Sequence, residues 1–150
     1  MIKRRIAASL IFICAVMPGA LLSQQMPQPT LRTTKLTAGI HVITAEVAAT
    51  PQSRATGLMM RERLAPNHGM AFVFEDKSQH CFWMRNTLIP LSIAFIEDDG
   101  TIVSIADMAP KSEASTCPPR AVRYALEMDQ GWFAKRGIAA GNKITGLPPR

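Results

Sequence analysis

Any chemistry this chain performs must come from a few clusters of side chains. The densest is His80-Cys81-Phe82-Trp83-Met84-Arg85-Asn86-Thr87-Leu88-Ile89-Pro90-Leu91. Asn86 and Thr87 can organise the turn before Pro90, or present hydrogen-bonding groups at the rim of a cavity. With Trp83 (or Trp132) to stack, and Arg61 and Arg85 to pair with charge, they form a candidate site for a small polar ligand, such as a sugar or an anionic group. The plainer alternative has Arg61 and Arg85 neutralising Glu46 or Glu127 inside the fold, with no ligand at all.

An enzyme reading has thinner support. Hydrolysis by paired carboxylates needs two acids across a cleft, and the candidates are Glu46 and Glu127, each in an apolar stretch. Ser92 or Ser104 with His41, His68 or His80 would give a serine triad, but no Gly-x-Ser-x-Gly elbow is present. No catalytic residue is assigned. Copper handling would draw on Met59, Met60, Met70, Met84 and His80, since thioethers and imidazoles suit Cu(I). Those methionines also stand beside Leu58, Phe72 and Phe82, as gap-filling core side chains do. No zinc spacing is present, and neither a metal nor a cofactor is expected.

The chain opens with Lys3-Arg4-Arg5 before an apolar run at residues 6–16, then Pro18-Gly19 and small or polar residues. This is the layout of a cleavable secretory signal over residues 1–23, which implies a periplasmic or secreted protein. The apolar run is shorter than the ~20 residues that span a bilayer, so no membrane span is expected after cleavage. Cys14 leaves with the signal; Cys81 and Cys117 remain, and in an oxidising compartment they are most simply one disulfide. The formal net charge of +6 falls to about +3 without Lys3, Arg4 and Arg5. Scattered cations interleaved with acids do not form a nucleic-acid stripe, so nucleic acid is not an expected partner. The sequence does not fix an oligomeric state.

Strands must position these groups. Residues 24–35 are polar and Pro-punctuated and read as a flexible leader; residues 36–150 read as one β-rich domain. β-Branched alternation predicts a strand at 40–48. Thr50-Pro51 predicts a short helix ending at Gly57. Further strands are expected at 69–74, 80–84, 91–97, 101–107, 122–128 and 143–145, with Asp98-Asp99-Gly100 joining a hairpin. A second short helix falls at 130–136, and residues 147–150 read as a free tail. The whole is mostly β: a small antiparallel sandwich or partly open barrel of about seven strands with two short helices.

The segments Thr50-Pro51 to Arg54, Gly57-Leu58-Met59-Met60-Arg61, Gly69-Met70, Phe72 to Phe74, Phe82-Trp83-Met84-Arg85-Asn86-Thr87 with Ile89-Pro90-Leu91, and Leu126-Glu127 with Gly131-Trp132 together resemble the uncharacterised domain-of-unknown-function family 192. The resemblance runs from about Leu36 to Ile144. It implies a compact β-rich domain, often exported, with no established activity. Similar members usually carry Asp where this chain has Ser92.

Overall fold

The protein was analysed as a computed structural model, which describes residues 26–149. The expected signal segment lies outside the described residues. Seven strands form a single curled sheet: β1 (Thr33–Ala38), β2 (His41–Ala48), β3 (His68–Ser78), β4 (Leu91–Ile96), β5 (Ile102–Met108), β6 (Val122–Asp129) and β7 (Ile144–Thr145). Their order is β5-β4-β6-β3-β2-β1-β7. Helix is confined to α1 (Pro51–Thr56) and a 3-10 turn, Ala134–Arg136. No helix among the described residues is long and apolar enough to cross a membrane.

Period-two alternation makes the sheet two-faced. One face contributes Leu36, Ile43, Ala71, Ala94, Leu126 and Ile144, among others, to one core. Because that core draws on every strand, it is the inside of a half-barrel. The ends of the sheet meet at one corner, where the Ile102 amide donates to the Asn142 carbonyl and the Ile144 amide to the Gly100 carbonyl, both at 2.8 Å. Of the sandwich and the partly open barrel expected from the sequence, the observed architecture is the partly open barrel.

The outer face is buried too. Met70, Phe72, Leu91, Ile93, Phe95 and Ala125 pack there beneath Leu58 and Met84, which arrive from loops. The cover exists because β2 and β3 are parallel, unlike the other strand pairs, and a parallel pair needs a crossover of a dozen or more residues. Residues 49–67 make that crossover and carry α1 across the outer face. Thr50 caps α1: its hydroxyl accepts from the Ser53 amide at 3.1 Å, and the Ser53 hydroxyl accepts from the Thr50 amide at 3.0 Å. Thr50→Ala should cost about 1 kcal/mol in a urea titration, the usual worth of an N-cap.

Several expectations need correction. Residues 80–84 are not a strand: a single bridge pairs Phe82 with Thr116, and the segment is pinned by a Cys81–Cys117 disulfide. The seventh strand is instead β1, which takes in Thr33 to Lys35 from the expected leader. β3 continues past its expected end at residue 74 through Glu75–Lys77, and pairs Ser78 with Val122 beyond an irregularity in the register. The C-terminal tail is not free either. Leu147 packs on the inner core, and the Tyr124 hydroxyl donates to the Pro148 carbonyl at 3.1 Å.

Candidate functional site

The site begins with one row of side chains across the outer face. In register, Glu46 of β2 stands beside Met70 of β3, Met70 beside Glu127 of β6, and Glu127 beside Ile93 of β4. Strand spacing puts Glu127 two strands, or about 10 Å, from Glu46. The two acids meet different fates.

Glu46 is satisfied inside the protein. Its Oε2 accepts from Arg61 Nη2 at 3.1 Å and from the Leu31 amide at 2.8 Å. This is the plainer alternative realised: Arg61 neutralises an acid and ties the chain before β1 to the sheet. Glu127 has no such partner. It is 4 % exposed, flanked by Met70 and Ile93, and no hydrogen bond or ion pair to its carboxyl occurs among the described residues. Burial alone pushes that carboxyl up to about 8, because removing a carboxylate from water disfavours its charged form. Gly69 keeps β3 tight against it. A Cβ there would fall 2.2 Å from the Glu127 carbonyl oxygen, so a larger residue would displace β6.

Glu127 lies on the floor of a cleft of about 440 Å³, within the range of small-molecule sites. α1 and the turn after it form one wall, with Arg54, Ala55 and Gly57-Leu58-Met59. Residues 79–83 form the other, and Phe72 and Phe74 rise from the sheet between them. The walls are ring-rich. His80 stacks on Phe74 with centroids 3.6 Å apart, Phe82 meets Phe72 edge-on at 4.9 Å, and the Arg54 guanidinium lies 5.2 Å from the Phe74 centroid. Arg54 is held there by donating through Nη1 to the carbonyls of Ala49 and Val73.

Two of the five residues expected at a ligand site, Trp83 and Thr87, line this cleft. Thr87 is buried. Trp83 is 49 % exposed. The other three lie elsewhere. Arg61 is engaged with Glu46. Arg85 reaches outward to Glu113 at 3.1 Å and lies 5.3 Å from the Trp83 ring centroid. Asn86 contributes its carbonyl to the Met60 amide at 2.9 Å, a structural tie between the two loops. Sequence reading missed Arg54, Phe74 and His80 as cleft residues. Arg54 and Phe74 stand in segments that carry the family resemblance and His80 heads the densest cluster, but no local feature assigned any of them to a ligand site.

The cleft does not fit the alternatives well. Glu127 is the sole acid among its described lining residues, so the carboxylate pair of a glycosidase-like hydrolase is missing. Of the copper candidates, Met59 and His80 line the cleft, whereas Met70 and Met84 are packed in the outer core, where they fill space.

A sequence model of the uncharacterised family DUF192 matches residues 33–146. The chain belongs to this family. Two solved structures are similar to this DUF192 chain. One, described as a candidate transcription regulator from Sinorhizobium meliloti 1021, is 34 % identical with a TM-score of 0.74, covering 79 % of this chain and 97 % of its own. The other, a protein of unknown function from Novosphingobium aromaticivorans DSM 12444, is 29 % identical with a TM-score of 0.70, covering 92 % and 99 %. No curated protein matches.

Several of the segments that carry the DUF192 resemblance contribute to the cleft: Gly57-Leu58-Met59 on one wall, Phe82-Trp83 on the other and Glu127 at the floor. Ser92, the departure from the resemblance, is outside it. Its hydroxyl donates to Asp107 and accepts from the Gly131 amide at 2.8 Å, which locks β4 to β5 and to the turn after β6. The Ser92 departure therefore leaves the cleft intact.

Proposed function

We propose that this protein is an exported, non-catalytic binding module that holds a small organic ligand in the Glu127 cleft. The observation that carries the reading is Glu127 itself, a buried carboxyl without a partner at the base of a ring-lined opening. Folding alone does not favour such a group, because burying it unpaired costs stability. A ligand's polar group would supply the missing partner, while Phe72, Phe74, Phe82 and Trp83 would cover its apolar body. Export is supported by the basic-then-apolar start of the chain and by the disulfide, which persists in oxidising compartments.

The description attached to the rhizobial structure suggests DNA binding, which finds little support in this chain. Six of the thirteen described Arg and Lys residues are engaged with a carboxylate of the protein itself, and the cations are scattered along the chain among acids rather than gathered in the stripe a phosphate backbone favours.

The test uses benzyl alcohol, benzylamine and phenylacetate as one-ring probes, titrated at millimolar concentrations while the Trp83 indole and Thr87 methyl signals are followed by NMR. At least one probe is expected to shift both signals. Ala55→Trp, a substitution on the exposed side of α1 that fills the cleft mouth, should abolish the shifts with the fold retained. The reading fails if no probe binds, or if the tryptophan variant binds equally well.

A further inference from the structure

We propose that the ligand of this cleft carries a protonated amine, which the Glu127 carboxylate holds at the floor while the surrounding rings enclose it. The proposal rests on the binding reading above and narrows its ligand class.

Three observations lead to it. First, the protein's other acid on this row, Glu46, has its own cation in Arg61, whereas Glu127 has none. Its complement must come from outside, and an ammonium offers both a charge and several N–H donors. Second, the walls already show the matching chemistry. Arg54 lies against Phe74 and Arg85, from outside the cleft, against Trp83, so two of the cleft's rings already hold a cation near them. Third, an anionic ligand would meet no cation at the floor. Arg54 stands on the wall, committed by Nη1 to two backbone carbonyls and lying against Phe74.

Binding of this kind moves a proton. In the unliganded protein burial keeps the Glu127 carboxyl protonated at neutral pH. An entering R–NH3+ group pairs with the carboxylate, and the carboxyl proton leaves to solvent. Near pH 7 about one proton is released per ligand bound. Affinity for the amine therefore rises with pH up to about 8, where Glu127 ionises unaided, and falls when the amine itself loses its proton. The charged and titratable groups around the cleft are Arg54 on α1, His80 after β3, and the Glu46–Arg61 pair two strands along the row. The residues of β3 and β4 that face Glu127, Met70 and Ile93, carry no charge.

The deciding experiment is calorimetric titration of the full disulfide-bonded protein with benzylamine, benzyl alcohol and phenylacetate at pH 8. Running benzylamine at pH 7 in two buffers of different ionisation enthalpy counts the protons released. Benzylamine should bind at least about tenfold more tightly than benzyl alcohol, the smallest gain expected of a charge-assisted hydrogen bond. Glu127→Gln should erase that preference and the proton release. A preference for phenylacetate or benzyl alcohol, or an amine preference that survives Glu127→Gln, overturns the amine assignment and leaves the binding cleft standing. Failure of all three probes overturns both.

Discussion

Glu127→Met should make the protein more stable by about 1–3 kcal/mol at neutral pH, the range in which unpaired polar burial destabilises proteins. Methionine has nearly the length of glutamate, and its neighbours in the row, Met70 and Ile93, are fully buried. The substitution therefore replaces a desolvated carboxyl by a side chain that packs. A core position where an apolar residue is better than the native one is the mark of a residue kept for something other than folding. The gain must also depend on pH, with a fixed sign. The Glu127 carboxyl titrates at about 8 when folded, above its ordinary value of 4.5. Between those values the unfolded chain releases the proton while the folded chain keeps it, so rising pH favours unfolding. The stability lost this way accumulates from pH 4.5 to about 8, amounts to a few kcal/mol in all, and is flat beyond either limit. Urea titrations of the native protein and of the Glu127→Met variant should diverge across that window. A Glu127→Met protein that is less stable throughout would show that the carboxyl supports the fold.

Breaking the disulfide should have the other large effect, in the opposite direction. Cys81 and Cys117 are 36 residues apart in sequence, and a loop of that length gives about 3–4 kcal/mol in the chain-entropy account. Little else in the backbone holds the segment. Outside the single Phe82–Thr116 bridge, with its two 2.8 Å bonds, the Met84 amide donates to the Ser112 carbonyl at 2.9 Å. Cys81→Ala combined with Cys117→Ala should lower unfolding free energy by that amount and weaken probe binding, because residues 79–83 form one wall of the cleft. A loss below about 1 kcal/mol would mean that burial of Phe82 and Met84 anchors the wall without the cross-link.

The sequence revealed most where a single period governs a segment. β2, the β4–β5 hairpin and β6 each alternate or run apolar between clear turns, and each forms close to its expected bounds. β1 escaped because only Leu36 and Ala38 point inward to the core; Thr33, Lys35 and Thr37 face out and resemble a polar leader. Residues 80–84 misled for the converse reason. Their aromatic content suits a strand, but the Cys81 tether and contacts with Phe72, Phe74 and Phe95 fix them without a ladder. Tertiary packing overrode propensity there.

The site was legible in its members and illegible in their partnerships. Glu127, Trp83 and Thr87 stand out in the sequence, yet nothing local says that Arg61 takes Glu46 and leaves Glu127 alone. That choice follows from the parallel placement of β2 beside β3, which sets the two acids two strands apart on one face. Arg54, Phe74 and His80 meet only because the crossover lays α1 over the same face.

The central claim is that Glu127 is a neutral, unpartnered carboxyl awaiting a ligand. Carbon-13 NMR of the glutamate carboxyls across pH tests it most directly, with the Glu127 signal assigned by its loss in Glu127→Gln. The account predicts a carboxyl that titrates at about 8 in the protein alone, and markedly lower once benzylamine is added. A Glu127 signal titrating near the ordinary 4.5, unmoved by the amine, would contradict it.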